Sequence, residues 1–310
     1  MKLLVIGDLH GRKPEIHFKD FDAIVQVGDV CDDKKFRPHI KKWLKFLKKS
    51  EEKISLSSFL EKEIGKKDVK KLDRDSLIGG RKILRYLDSF NKPVFVVPGN
   101  WDQSYGETRI KNPDKSSYDY EKSFYDYWLG KNMNPRLIRG LKNIKDCQFK
   151  LHTFQGTNFI GYGLSSGPED PELRKKSKRI KYEKGQYEKI LRTHSTYMER
   201  LKGELKRKIK GPIVFISHNV PHNTKLDKVK NKNSPAHNKH LGSTVAREFC
   251  QKIKPLLCLS GHMHEYFGKD KIKNTTVINV GFGKNANVLV ELDPEKNKIK
   301  KIMFNKSYRG

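Results

Sequence analysis

Seven side chains of this 310-residue sequence are able to bind divalent metals, and they arrive in short groups set far apart. Asp8 and His10 lie in GDLHG, Asp29 in GDV, Asn100 in GNWD, His218 in ISHN, and His262 and His264 in GHMH. Carboxylate, amide and imidazole donors form a hard-to-borderline set, suited to manganese, iron or zinc and less to a metal selected by thiolate. Seven donors exceed the needs of one tetrahedral ion. Two ions about 3.5 Å apart, bridged by one carboxylate and a hydroxide, would use them all. Such a pair lowers the pKa of bound water, offsets charge on phosphoryl oxygens and aligns a nucleophile for in-line attack on phosphorus. Read as helix caps and core histidines, the same residues would leave His262 and His264 unexplained in a glycine-bounded turn.

Each group follows an apolar run: KLLVI at 2–6, FDAIVQVGDV at 21–30, VFVV at 94–97, PIVFIS at 212–217 and LLCLS at 256–260. Such runs suit strands buried on both faces beneath helices. The donors therefore sit just past the strands' carboxyl ends, the edge where open α/β sheets bind ligands. Between them, 81–90 carries Ile83, Leu84, Leu87 and Phe90 on one helical face. A longer amphipathic helix has Tyr187, Ile190, Leu191, His194, Met198, Leu201 and Leu205 in one stripe, which makes His194 a core residue before a ligand. Residues 150–154 and 158–163 read as a hairpin around QGT. EYFGKD, TTVINVGFG, ANVLVELD and KIKKIMFN continue as short strands that supply a second sheet. The fold class expected is α/β, two packed mixed β-sheets flanked by helices, in a single domain over 1–310 with basic helical insertions at roughly 34–80, 103–145 and 165–210.

Lys and Arg number 66 against 36 Asp and Glu, a formal charge of +30 that attracts polyanions over long range. Nucleotides, nucleic acid or other phosphorylated partners fit that charge, and a merely solvated lysine-rich surface is the plainer alternative. KKFRPHIKKWLKFLKKS at 34–50 holds no acid and has Trp43, Leu44 and Leu47 as an apolar seam, so a basic helix is expected beside the site. The four cysteines make no CxxC and read as buried reduced thiols. No basic leader and no run of roughly 18 to 20 apolar residues is present, so a soluble cytoplasmic protein without membrane contact is expected.

In this order GDLHG, GDV, GNWD, the ISH before Asn219 and GHMH resemble the five blocks of the calcineurin-like metallophosphoesterase superfamily. The resemblance implies that Asp8, His10 and His264 hold one ion, that Asn100, His218 and His262 hold the other, and that Asp29 bridges them. Two divalent transition-metal ions, manganese foremost, are the implied cofactors. NVGFG, with Asn279 and Gly281, and HLGSTVAREF are similar to archaeal and bacterial phosphodiesterase-like members.

One departure bears on mechanism. The third block usually reads GNHD or GNHE, with a histidine thought to protonate the leaving group, and here Trp101 takes that place. An indole is no general acid at neutral pH, and losing such a donor costs roughly 10² to 10⁴ in rate when the leaving group is poor. Trp101 offers an aromatic face for a base instead. His222 in HNVPH is the candidate substitute donor. Asp29, Asp102 and His222 are thus the expected catalytic groups, and Arg12, Trp101 and Asn279 the expected substrate contacts. The function expected is hydrolysis of a nucleotide, cyclic-nucleotide or nucleic-acid phosphodiester. A phosphomonoesterase or protein phosphatase, and a silent binding scaffold of the same fold, are the alternatives.

Overall fold

The computed structural model describes residues 1–50, 54–102, 137–138, 140–163, 165–178, 185–206, 209–232, 234 and 236–306. In chain order the strands are β1 (Lys2–Ile6), β2 (Ala23–Gln26), β3 (Val94–Val96), β4 (Ile144–Asp146), β5 (His152–Phe154), β6 (Thr157–Tyr162) and β7 (Ile213–Asn219). There follow β8 (Leu257–Gly261), β9 (Gly268–Ile272), β10 (Thr275–Asn279), β11 (Ala286–Asp293) and β12 (Lys298–Lys306). The described helices are α1 (Arg37–Lys49), α2 (Leu56–Asp88), α3 (Pro171–Lys178), α4 (Gln186–Glu204) and α5 (Thr244–Ile253).

Two six-stranded mixed sheets result, β12-β11-β1-β2-β3-β4 and β5-β6-β7-β8-β10-β9. In the first, β1 to β4 run parallel while β11 and β12 are antiparallel. In the second, β6, β7, β8 and β10 run parallel between antiparallel edges β5 and β9. Alternation along the strands decides the layers. Leu3 and Val5, Ala23 and Val25, Phe95 and Val97 face the second sheet's Val214, Ile216, Leu257 and Leu259 in one apolar core. Leu4, Ile6, Ile24, Val94 and Val96 face outward onto Leu77, Ile83, Leu84 and Leu87 of α2. On the far side, Phe215 and Cys258 pack with Met198 and Leu201 of α4 and Val245, Ala246 and Phe249 of α5. Burial on both faces explains why these strands are apolar throughout.

Several expectations are corrected by the tertiary pairing. The last two strands do not join a separate sheet with β9 and β10, because β11 returns to lie beside β1 with Leu4 opposite Leu289. The helix expected at 81–90 is the end of the much longer α2, which Ser55 caps through its hydroxyl on the Ser58 amide at 3.1 Å. Gly65 breaks α2 with a φ of 79°, a conformation a side chain would strain. In α4 the stripe holds at Met198 and Leu201, while Leu191 is exposed and His194 pairs with Glu248 of α5 at 3.6 Å. Leu44 of α1 is exposed too, and the helix packs through Phe36 and Ile40 on Leu60 and Val69 of α2. Of the insertion expected at 103–145, residues 103–136 lie outside the described residues. All four cysteines are buried thiols, and among the described residues no helix is long and apolar enough to cross a membrane.

Candidate metal centre

The loops that leave β1, β2, β3, β7 and β8 converge at the carboxyl edges of the two sheets. Two sets of donors form there, Asp8 with His10 and His264, and Asp29 with His218 and His262, the ligand atoms of each set lying within 4.8 Å of one another. His264 Nε2 is 3.1 Å from Asp8 Oδ2. Asp29 Oδ2 stands between the sets, 3.5 Å from His10 Nε2 and 3.4 Å from His218 Nε2. Asn100 Oδ1 joins the second set at 2.9 Å from His218 Nε2. Asp8, His10, Asp29 and His218 are buried, while His264 is 40% exposed and opens the site to solvent.

The backbone is bent to this arrangement. His10, Asp29 and His262 have φ values of 45°, 55° and 61°, left-handed conformations costing of order 1–3 kcal/mol each unless packing enforces them. The enforcement is visible in the hydrogen bonds. Trp101 N donates to Asp29 Oδ1 at 2.7 Å, and His262 N donates to Asp8 Oδ2 at 2.6 Å. His218 Nδ1 donates to Val27 O at 2.9 Å, which turns Nε2 toward the second donor set. A side chain at Gly99 would meet Asp29, its Cβ only 2.0 Å from Oδ1, so the β3 loop can approach only as glycine.

Electrostatics and burial both fit a divalent ion. Asp8 Oδ1 and both ring nitrogens of His10 are buried with no hydrogen-bond partner, donors that the protein itself leaves unsatisfied between carboxylates. Burial opposes a charge on Asp29, but His218 and His10 outweigh it and hold the carboxyl well below its usual range. Burial likewise opposes a charged His218, yet Asp29 and Asp8 push its pKa up to about 9. For His10 burial prevails and the pKa falls.

The other residues singled out by sequence occupy distinct places. Asp102 is buried beneath the site, accepting from Val30 N and Cys31 N through Oδ1 and from Gly99 N through Oδ2, each at 2.9 Å, and so ties the β2 and β3 loops together. Burial and the neighbouring Asp29 push its pKa up to about 6. Asn279 is fully buried, its amide donating to Met263 O at 3.0 Å and its oxygen accepting from Gly281 N at 2.8 Å, so it braces the turn bearing His262 and His264. The Trp101 indole packs edge-on against Phe36, ring centroids 5.1 Å apart. His222 lies with its ring 5.9 Å from that of His240 and its Nδ1 3.7 Å from the buried Asp227. Burial, with His240 and Arg247 beside it, lowers the His222 pKa. Arg12 donates through Nη1 to the carbonyls of His10 and Leu9.

Three residues that sequence reasoning passed over also belong here. Asp33 Oδ2 lies 3.2 Å from His10 Nδ1, though out of line for a hydrogen bond. Arg37 pairs with Asp33, and Phe282 stacks on His264 with ring centroids 4.2 Å apart. Only the aspartate after GDVCD and the phenylalanine inside NVGFG carried any signal, as further polar and aromatic residues in motif turns.

Residues 72–266 match the calcineurin-like phosphoesterase family. No curated protein matches the sequence. Among solved structures, one shares 18% identity over 98% of each chain with a TM-score of 0.52. The protein TT1561 of Thermus thermophilus shares 14% over 98% of each chain with a TM-score of 0.45. A putative 5′-nucleotidase from Staphylococcus aureus, in complex with alpha-ketoglutarate, shares 13% over 98% of this chain and 53% of its own, with a TM-score of 0.42. The family match opens inside α2, downstream of Asp8, His10 and Asp29, and takes in Asn100, His218, His262 and His264; geometry brings the two portions into one site. Since the match spans more than half of the sequence, this chain belongs to the calcineurin-like phosphoesterase family.

Proposed function

We propose that this protein is a dinuclear phosphodiesterase acting on nucleotide, cyclic-nucleotide or nucleic-acid esters. The observation that carries the reading is Asp29, whose Oδ2 stands within 3.5 Å of an imidazole nitrogen from each donor set. Asp8, His10 and His264 would hold one divalent ion, Asn100, His218 and His262 the other, with Asp29 shared. When bound, the ions supply Lewis acidity toward the phosphoryl oxygens and an activated water. The chain's own part is orientation. Val27 O fixes the His218 tautomer, the Trp101 amide fixes Asp29, and the His262 amide fixes Asp8.

The preference for diesters rests on Trp101. Its Nε1–H lies 3.4 Å from Asp32 O and its ring edge meets Phe36, so no imidazole stands where relatives carry their proton donor. A substrate whose leaving group departs without protonation suits such a site. Manganese-loaded protein is expected to cleave bis(p-nitrophenyl) phosphate faster than p-nitrophenyl phosphate. Faster monoester cleavage would overturn the diesterase reading, and no turnover of either would favour the binding scaffold.

A further inference from the structure

The insertion after β2 brings a second arginine to the metal centre. Arg12, two residues past His10, and Arg37, the first residue of α1, both reach Asp33. Arg37 makes a fork, Nε to Oδ1 at 3.0 Å and Nη2 to Oδ2 at 2.7 Å, while Arg12 Nη1 lies 3.7 Å from Oδ1. Both guanidiniums also lie over the Phe282 ring, 5.2 Å and 5.7 Å from its centroid, and that ring is stacked on His264. Two cations therefore share one buried anion within a side chain's width of two donors of the Asp8–His10–His264 set. Arg37 engages both oxygens of the Asp33 carboxylate, and Arg12 stands at the longer distance. Among the described residues, none hydrogen-bonds to Arg12 Nη2 or Arg37 Nη1. A guanidinium already fixed by a carboxylate and an aromatic face loses little further freedom on taking an anion.

We infer that Arg12 and Arg37 bind a second phosphate group that the substrate carries beside the ester being cleaved. The inference rests on the phosphoesterase reading above and narrows its substrate class. A nucleoside polyphosphate and the adjoining phosphate of a nucleic-acid strand present the same chemistry. AMP, ADP and adenosine 3′,5′-bisphosphate separate the two sources when titrated calorimetrically into manganese-loaded protein. At least one two-phosphate compound is expected to bind tenfold or more tightly than AMP. ADP will be preferred if the source is a polyphosphate, and the bisphosphate if it is a strand.

R12Q and R37Q should each reduce that preference about tenfold or more, as loss of a charge-assisted bond to phosphate demands. R37K should retain part of it, because the charge remains while the fork is lost. K301Q, on exposed β12, serves as the control and should leave the preference intact. The inference is overturned if the parent binds AMP as tightly as both two-phosphate compounds, or if the preference survives R12Q and R37Q. It is also overturned if R37Q weakens all three ligands equally together with manganese, since Arg37 then only props Asp33 against His10. Failure of the metal-loaded protein to turn over any ester would refute the phosphoesterase reading, and the titrations would still report on the arginine pair.

Discussion

Asp102 is the sharpest place to test how the site is held. Its carboxylate accepts three buried backbone amides, from Val30, Cys31 and Gly99, and so joins the loop carrying Asp29 to the loop carrying Asn100. Asp102→Ala leaves those amides without an acceptor, at about 1–3 kcal/mol each. Against this stands relief of a buried charge. The carboxyl's pKa is pushed up to about 6 from a usual 3.8, so holding it ionised at pH 7 costs about 3 kcal/mol. The balance is a loss of about 0–6 kcal/mol for the alanine variant in metal-free protein, with the midpoint near 3. Asp102→Asn gives a different sum. It removes the charge and keeps an oxygen for Val30 and Cys31, but turns an N–H toward Gly99 N, so the terms cancel to within about 1 kcal/mol. Urea unfolding of chelator-treated protein at pH 7.5 measures both, and metal titration should show Asp102→Ala weakening uptake about 10- to 100-fold through its misplaced loops. Unchanged urea midpoint and metal affinity in Asp102→Ala would refute the anchoring argument. Equal damage from both variants would show that the charge, not the amide bonds, holds the loops.

Asp29→Ala should abolish uptake of both ions, and metal analysis finding one ion still tightly held would show that Asp29 is not shared between the sets. Trp101→His removes an indole packed on Phe36 and should cost about 2–4 kcal/mol in thermal or urea unfolding. The parent should cleave aryl diesters far better than alkyl ones, and the new imidazole should narrow that gap; a parent rate independent of leaving-group pKa would mean that a proton donor is present. Asp73→Asn should stabilise the protein by about 1–3 kcal/mol above pH 7, because burial pushes the Asp73 carboxyl up to about 6. The folded state then binds the proton more tightly than the unfolded chain, stability is lost as pH rises from about 4 to 6, and the advantage of asparagine should vanish below pH 4. Changing Lys41, Lys42 and Lys45 together to Glu should lower nucleic-acid affinity at low salt more than tenfold and reduce the salt slope by about 2 to 3; an unaltered affinity would make α1 only a solvated face.

The seven donors were legible because each follows an apolar run, through a glycine in every group but ISHN, a local pattern that needs no knowledge of what lies opposite. Pairing partners were not. ANVLVELD reads as a strand from alternation alone, but only the packed sandwich decides that Leu289 lies across from Leu4 and not in the other sheet. The first half of α2 was hidden for a related reason. Nearly half of its residues are charged, Gly65 interrupts it, and its few buried side chains, Leu60 and Val69, meet Phe36 of a neighbouring segment instead of the main core. Asn279 shows the limit of motif reading. Its position in NVGFG marked it as belonging to the site, yet whether its amide faces a ligand or a carbonyl depends on Met263 O, three-dimensional information the pattern does not carry. Asp33 and Arg37 were missed because their meaning lies in their mutual contact, which the surrounding run of lysines disguises.

The way the donors are divided between the sheets has its own consequence. Asp8, His10, Asp29 and Asn100 follow strands of the first sheet, while His218, His262 and His264 belong to the second. Neither donor set is complete within one sheet, since His264 crosses to Asp8 and His10, and His218 and His262 cross to Asp29. An ion held by either set would therefore act across the same interface that Val5, Val25, Phe95, Ile216 and Leu259 close with apolar contacts. An ion that requires both halves in register binds the folded sandwich and not the unfolded chain, and so stabilises the fold in proportion to its occupancy. The converse also holds. The left-handed turns at His10, Asp29 and His262 are kept by the closed core, so any change that loosens the two sheets relaxes those turns and weakens the ligand geometry before the rest of the molecule unfolds.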